Sequence, residues 1–158
     1  TSDVLAAQFE AVGAMPIKKP FSEVFTLLQT KAIDGAENPW SNLYSQKFYE
    51  VQSYITESNH GVLDYLVVSS SEFWEGLPAD IRTVLEGCLK ESIALGNKVS
   101  AQKDLEDKQK IIDSKRSQLI TLTPEERQAW VEAMKPVWKK FEEAVGKENL
   151  AAAIAANN

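Results

Sequence analysis

The sequence predicts an α/β protein that is mostly helical, with a small mixed sheet and one long helix that spans more than one small domain. Apolar residues recur at helical spacing along most of the 158-residue chain, whereas short runs rich in β-branched and aromatic residues indicate only a few strands. No proline occurs between Pro78 and Pro124. A helix from Pro78 to about Asp113 is therefore allowed, and it would be roughly 50 Å long.

The first 50 residues are expected to form three helices and one short strand. A serine or threonine cap, a glycine stop or a proline start marks each helix, and the order helix, strand, helix favours an α/β layer. The expected elements are a helix from Thr1 or Ser2 to Val12, a strand at 15–18, a helix from the N-cap Ser22 to about Ala32 that Asp34-Gly35 ends, and a helix from Pro39 to about Phe48.

The remainder is expected to add three strands and further helices. The run Tyr65-Leu-Val-Val is continuously apolar, which predicts a central strand covered on both faces. Thr123 and Glu126 form a capping-box pattern, while Pro136 is expected to kink or interrupt the helix that follows. The expected elements are strands at 53–56, 64–69 and 118–122, a helical turn at 71–76, the long helix, a helix from Thr123 to Gly146 and a last helix at 148–156.

Composition excludes several classes of function. The net charge of −6 disfavours nucleic acid, because phosphate binding needs clustered Lys and Arg. No apolar run approaches the roughly 20 residues that span a bilayer. Cys88 is the only cysteine and His60 the only histidine, so the sequence offers neither an internal disulfide nor the usual four ligands of zinc.

Enzymatic chemistry is disfavoured as well, and no cofactor is expected. His60 lacks the GxSxG pattern of a serine hydrolase, and the seven glycines are scattered singly instead of forming a phosphate-binding loop. Asp34 and Glu37 could share a proton. A helix-end aspartate and a loop glutamate are the more common roles of such a pair, and a structural role is favoured for His60.

The best candidate for a binding site is the loop that carries Glu37, Asn38 and Trp40. Asn38 offers both donors and an acceptor for a carboxylate or hydroxyl, and Phe21 and Trp40 can wall a pocket and exclude water. The alternative is that the two aromatic residues belong to the core and Asn38 satisfies the turn. From the residues alone this structural alternative is favoured.

Three stretches carry a family resemblance: FSEVFTLLQTKAIDGAENPWSN, SQKFYEVQSYITESNHG and LTPEERQAWVEAMKPVWKKFEE. They resemble the substrate-binding proteins of tripartite ATP-independent periplasmic (TRAP) transporters, of the C4-dicarboxylate-binding type. The resemblance covers nearly all of the chain but only the C-terminal half of such a protein. It implies half of a two-lobed, type II-like periplasmic binding protein that delivers malate, succinate or fumarate to a membrane permease, without covalent chemistry.

The resemblance also implies roles for six residues. Asn38 and Phe21 match residues that line the ligand cleft in the family. Glu37 and His60 match a glutamate and a histidine that support ordered water beside the ligand. Tyr65 is expected near the cleft, and Trp40 is expected to contribute to specificity.

In the family, an arginine placed just upstream of the first helix seen here holds the ligand carboxylate. This sequence begins after that position, and Arg82, Arg116 and Arg127 lie far along the chain from the loop. Residues 1–70 are expected to form part of the second ligand-binding lobe, and residues 71–158 to form the spanning helix, a short strand and helices that pack across the lobes.

The chain alone is therefore expected to bind dicarboxylates weakly or not at all, to need the missing N-terminal half, and to self-associate through exposed apolar surface. The alternative is a standalone helical interaction or oligomerising module without ligand binding.

Overall fold

The computed structural model describes residues 2–156, and within that range the chain is mostly helical. Its two strands lie side by side and run parallel. The fold class predicted from the sequence is confirmed. The elements are helices α1 (Asp3–Ala11), α2 (Phe21–Gln29), α3 (Trp40–Ser45), α4 (Ser71–Gly76), α5 (Ala79–Ser114), α6 (Pro124–Val145) and α7 (Lys147–Ala156), a 3₁₀ turn at Phe48–Glu50, and strands β1 (Tyr54–Glu57) and β2 (Gln118–Thr121).

Serine side chains begin two of the helices. The Ser2 hydroxyl accepts a hydrogen bond from the Leu5 backbone N–H at 3.2 Å, and the Ser70 hydroxyl accepts one from Phe73 at 3.2 Å. Each bond satisfies a backbone donor that has no partner within its helix. Thr1, the other candidate cap for α1, lies outside the described residues.

The second helix is shorter than predicted. It begins at Phe21, one residue before the predicted N-cap Ser22, and ends at Gln29. Lys31 adopts a left-handed conformation with φ 56°, and the Ala32 N–H donates to the Leu27 carbonyl at 2.9 Å. The chain thus leaves the helix before the Asp34-Gly35 pair through a left-handed residue of the kind that commonly follows a helix.

The predicted capping box begins α6. Thr123 Oγ1 accepts from the Glu126 N–H at 3.2 Å, and Glu126 Oε2 accepts from the Thr123 N–H at 2.8 Å. Gly146, with φ 92°, follows the last helical residue as predicted. Pro136 does not interrupt the helix, which is continuous from Pro124 to Val145. Proline removes one backbone donor, and the flanking hydrogen bonds and packing suffice to continue α6.

Two predicted strands are not formed. Residues 15–18 and 64–69 are irregular, and the apolar run within 61–70 is exposed: Tyr65 retains 82% and Val68 81% of its accessible surface. A central strand needs a hydrogen-bonded neighbour on each side. Within residues 2–156 only β1 and β2 pair with each other, so this run has neither a neighbouring strand nor a covering layer.

The chain divides into two compact units. The first comprises Thr1–Thr26, Thr56–His60 and Ile120–Asn158, and the second comprises Leu27–Ile55 and Gly61–Leu119. Both units draw on residues from either side of position 70. The assignment of residues 1–70 to a ligand-binding lobe stays a prediction, because a compact unit within this chain is a different property from a lobe of a whole protein.

The first unit is a layer of helices. α1 packs on α6, and α6 also contacts α7. Ala7 of α1 and Met134 and Val137 of α6 are buried, and the rings of Phe9 and Trp130 meet edge to face at 6.5 Å. A small residue opposite larger ones lets the two helices approach closely, which is how interiors reach high packing density.

The second unit is organised by the packing of the short helix α3 on the second half of α5. Leu43 of α3, Ile111 of α5, Phe48 of the 3₁₀ turn and Leu28 are buried there. Ser117 links the strand β2 side of this unit to the residues after α3, since its hydroxyl lies within hydrogen-bond distance of the carbonyls of Tyr49 at 2.9 Å and Gln52 at 2.7 Å and can donate to either one.

Replacing Thr123 with alanine should lower the free energy of unfolding by about 1 kcal/mol, because the substitution removes one arm of the capping box. Denaturant titration followed by circular dichroism measures the change. Glu125→Ala is the control, since Glu125 lies in the same helical turn outside the box; an equal loss in both variants would contradict the assigned role of Thr123.

Candidate functional site

The candidate loop leads directly into α3. Pro39 is the N-cap of α3, with extended backbone angles (φ −61°, ψ 160°), and its carbonyl accepts from the N–H groups of Asn42 at 3.1 Å and Leu43 at 3.0 Å. Proline fixes φ and restricts the residue before it. Glu37 and Asn38 are therefore held immediately before the start of the helix.

Asn38 is tied to the first turn of α3. Its side-chain oxygen Oδ1 accepts from Asn42 Nδ2 at 3.4 Å, and the residue is half-buried. The distance is at the long end for a hydrogen bond. The contact orients the Asn38 amide relative to α3. The NH₂ group of the same amide can donate hydrogen bonds to a small polar solute.

Trp40 is the first residue of α3 and packs toward α5. Lys108 Nζ lies 5.2 Å from the centre of the Trp40 ring, a distance typical of a cation–π contact. The ring lines a small, mainly apolar cavity of about 60 Å³, well below the few hundred Å³ of ordinary ligand pockets. The role of Trp40 in solute specificity stays a prediction. The other lining residues are Ile55, Ile111, Ile112, Ser117 and Leu119.

The polar second half of α5 supplies the surface on which α3 packs. One face of this half of α5 carries residues at the helical spacing i, i+3, i+4 and i+7. They are Asp104, Asp107, Lys108 and Ile111. Asp104 Oδ1 accepts from the backbone N–H of Ser41 at 2.9 Å. Part of the polar stretch 101–110 is therefore buried in the second unit.

Asp107 is fully buried, with no accessible surface. Its carboxylate accepts from Lys103 Nζ at 2.7 Å and from Lys110 Nζ at 2.9 Å, and Lys110 also lies 4.9 Å from the centre of the Tyr44 ring. Burial raises the pKa of Asp107, but the hydrogen bonds and charges of the two lysines outweigh it, and the pKa is lowered overall. Asp107 thus remains charged although it is buried, because two hydrogen-bonded ammonium groups compensate for its lost hydration. Both lysines lie on the same helix as Asp107.

His60 belongs to the first unit, where it follows Asn59, a residue with φ 47°. Its Nδ1 is hydrogen-bonded to Ser58 Oγ at 2.7 Å, and its ring meets Phe9 edge to face at 5.4 Å and lies 6.3 Å from Trp130. These contacts fit the hydrogen-bonding role favoured from the sequence. The water-ordering role stays a prediction.

The six predicted residues are distributed between the two units. Phe21, the first residue of α2, and His60 belong to the first unit, whereas Glu37, Asn38, Trp40 and Tyr65 belong to the second. Within the second unit, Glu37, Asn38 and Trp40 share one loop and helix start. Tyr65 lies in the exposed irregular segment 61–70.

Sequence reasoning missed Asp104, Asp107 and Lys108. Long polar stretches of helix are normally solvated faces, so their composition is no signal by itself. Their spacing relative to Ile111 was the available signal, because it places two carboxylates on the face that carries a buried apolar residue.

In the described part of the chain, no group of three or more His, Cys, Asp or Glu side chains is placed to hold a metal ion. Among residues 2–156, no helix combines the length and the apolar character needed to cross a membrane.

A loop that presents an amide, a carboxylate and an aromatic ring at a helix start suits the binding of a polar ligand better than it suits catalysis. The family model for "Bacterial extracellular solute-binding protein, family 7" matches residues 1–144. The chain belongs to this family. The family consists of solute-binding proteins, which confirms the prediction of a binding protein over an enzyme.

Relatives and solved structures agree with this assignment. The chain is 67% identical over 156 residues to the C4-dicarboxylate-binding periplasmic protein DctP of Shewanella loihica, covering 99% of this chain and 46% of the relative. It matches the structure of a TRAP periplasmic solute-binding protein from Shewanella oneidensis with bound succinate at a TM-score of 0.93 and 73% identity, covering 99% of this chain and 52% of that one.

A second solved structure, a TRAP periplasmic solute-binding protein from Pseudomonas aeruginosa with bound L-malate, matches at a TM-score of 0.82 and 40% identity. The match covers 88% of this chain and 48% of the Pseudomonas aeruginosa chain. The chain therefore spans about half the length of the relatives that it matches, as the resemblance implied.

Acidification should destabilise the chain through Asp107. Since its folded-state pKa is lowered, its stabilising contribution is present above the ordinary carboxyl pKa of about 4 and is lost as the pH falls through the folded-state value. Asp107→Ala should cost about 2 kcal/mol at pH 7, with the difference narrowing below about pH 4. Denaturant titrations across pH measure this.

Asp113→Ala is the matched control, because Asp113 is an exposed aspartate on the same helix whose carboxylate accepts from Gln109. It should change stability only slightly. A pH-independent difference between the chain and Asp107→Ala would contradict the ion-pair account.

Proposed function

We propose that the chain is part of a periplasmic solute-binding protein that captures a C4-dicarboxylate for a TRAP transporter. The observation that supports this most strongly is the similarity to the succinate-bound protein, at 73% identity over 99% of this chain. The malate-bound protein supports the same class of solute at lower identity. The whole protein would deliver its solute to the membrane permease subunits of the transporter.

The loop before α3 would supply polar contacts to the solute. The Asn38 amide can donate to a carboxylate or accept from a hydroxyl, and its half-buried position would strengthen these bonds by limiting competition from water. Within the second unit, Glu37 would order water near the solute, and the aromatic side chains of Trp40 and Tyr65 would line further walls of the site. The roles that the resemblance implies for Phe21 and His60, in the first unit, stay predictions.

No arginine of this chain is close to the loop in sequence, so we expect further polypeptide to supply the guanidinium that balances the charge of the solute. A dicarboxylate that leaves water needs paired cations, and a guanidinium matches a carboxylate best. The chain has three arginines, and all of them are far along the sequence from the loop. They are Arg82, Arg116 and Arg127, the last of which is on α6. The remaining half of the protein would contribute the counter-charge, and this chain alone would bind weakly.

The exposed apolar side chains of this chain support the proposal that it packs against a partner polypeptide. Leu66 retains 85% and Val68 81% of its accessible surface, and on the first half of α5 Val84 retains 63%. Large apolar side chains exposed to this extent are typical of a surface that another polypeptide covers. The occupant that fits best is the remaining half of a protein about twice this length, and the isolated chain would self-associate through the same residues.

The second candidate function is a helical interaction or oligomerising module without a ligand. The same exposed surface favours it, since such a module would need an apolar face and no solute site. The two candidates differ in whether a dicarboxylate stabilises the protein once the second half is present.

A chimera tests the solute-binding proposal. This chain replaces the matching residues of the Shewanella oneidensis protein, and thermal melts are recorded with and without succinate. The chimera should gain about 2.7 kcal/mol at succinate concentrations 100 times its dissociation constant, whereas the chain alone should show no gain. Asn38→Ala should weaken binding by on the order of tenfold through a lost hydrogen bond.

Asn97→Ala, on an exposed turn of α5, is the control and should bind as the unsubstituted chimera does. A folded chimera that succinate leaves unchanged, while the parent protein responds, would favour the interaction module. Tight succinate binding by the chain alone would contradict a divided site.

Self-association of the chain alone is tested by light scattering over a range of concentrations. The mass should rise above the 17.6 kDa of one chain as concentration increases, and Leu66→Asp should shift the equilibrium toward the monomer by charging the apolar surface. Met15→Asp is the control, because Met15 is 91% exposed and lies in the first unit. A strictly monomeric chain at all concentrations would contradict the proposal.

A further inference from the structure

The start of α3 has no cap from its own side chains. Its N-cap residue is Pro39, which makes no side-chain hydrogen bond to the helix. The first backbone N–H groups of any helix lack partners within it, and a helix of six residues has little stability by itself. Interactions from elsewhere must therefore hold α3 in place.

Helix α5 supplies those interactions from 63 residues further along the chain. Asp104 Oδ1 accepts from the Ser41 N–H, the donor at the second helical position, at 2.9 Å. Lys108 Nζ lies 5.2 Å from the ring centre of Trp40, at the first helical position. The first two residues of α3 are thus both contacted by side chains one turn apart on α5.

The same two residues lie next to the candidate binding loop. Asn38 is separated from Trp40 only by Pro39, and its side chain is hydrogen-bonded to Asn42 in the first turn of α3. Any movement of the start of α3 would therefore move the Asn38 amide. Asp107, on the same face of α5, is fully buried, and its charge is compensated by two lysines of the same helix.

We propose that Asp104 is a positioning residue for the solute site: its carboxylate caps α3 from α5 and thereby fixes where the Asn38 amide is presented. The proposal deepens the proposed function and rests on it for the identity of the solute. Asp104 is not assigned any contact with the solute. A negatively charged acceptor at a helix start also interacts favourably with the helix dipole.

The chemistry distinguishes the substitutions at this position. Alanine removes the acceptor and leaves the part-buried Ser41 N–H without its side-chain partner. Asparagine keeps an acceptor oxygen at the same distance from the backbone but removes the charge. Asp104→Asn should therefore retain most of the positioning, and Asp104→Ala should lose it.

The first measurement uses this chain by itself and needs no ligand. Backbone amide exchange, followed by NMR, should be on the order of tenfold faster at Ser41 in Asp104→Ala, and close to that of the unsubstituted chain in Asp104→Asn. The control Asp113→Ala should leave Ser41 unchanged. Circular dichroism confirms that helical content is retained; Asp104→Ser replaces Asp104→Ala if it is not. Unchanged exchange at Ser41 would overturn the cap.

The second measurement uses the chimera with the Shewanella oneidensis protein and succinate as the probe. Asp104→Ala should weaken succinate binding by on the order of tenfold, with Asp104→Asn restoring most of the affinity. Equal affinity in all variants would overturn the positioning role. A chimera that does not bind succinate would count against the proposed function alone, because amide exchange at Ser41 still decides whether Asp104 holds α3.

Discussion

The second unit depends on a carboxylate that has no access to water. Burying the charge of Asp107 is unfavourable unless hydrogen-bonded cations accompany it, and Lys103 and Lys110 provide them from adjacent turns of α5. The ion pairs are local, so they form whenever α5 is helical. With its charge compensated, Asp107 can be buried in the unit where a six-residue helix packs on α5, and that helix carries the candidate binding loop at its start.

Along α5, the half with the apolar pattern is exposed and the polar half contains the buried residues. The first half has the apolar spacing expected of a core helix, yet Val84 is 63% and Leu95 63% exposed, whereas the polar second half contains the buried residues Asp107 and Ile111. An amphipathic pattern shows that a face needs a cover but not which polypeptide covers it. Because the chain spans about half of its relatives, the exposed half of α5 fits a surface completed by further polypeptide.

The candidate site was predictable in part. The Asn38-Pro39 pair and the helix start at Trp40 are consequences of neighbouring residues, so the sequence indicates that Glu37, Asn38 and Trp40 share one loop and helix start. Their part in solute binding stays a prediction. The contacts that hold this loop were not predictable in the same way, because Ser41 and Asp104 are 63 residues apart. Tyr65 was expected on a covered strand, and it is exposed because the described residues offer that strand no hydrogen-bonded neighbour.

Local chemistry in the sequence by itself determined where several helices begin and where α6 ends: hydroxyl caps at Ser2, Ser70 and Thr123, Gly146 at a positive φ, and a proline-free run long enough for α5. It also determined the family, through residues spread over most of the chain. Only the tertiary structure decided which apolar residues are buried and which polar face of α5 supports α3. Capping uses atoms a few residues apart, whereas burial depends on surfaces brought together from distant parts of the chain.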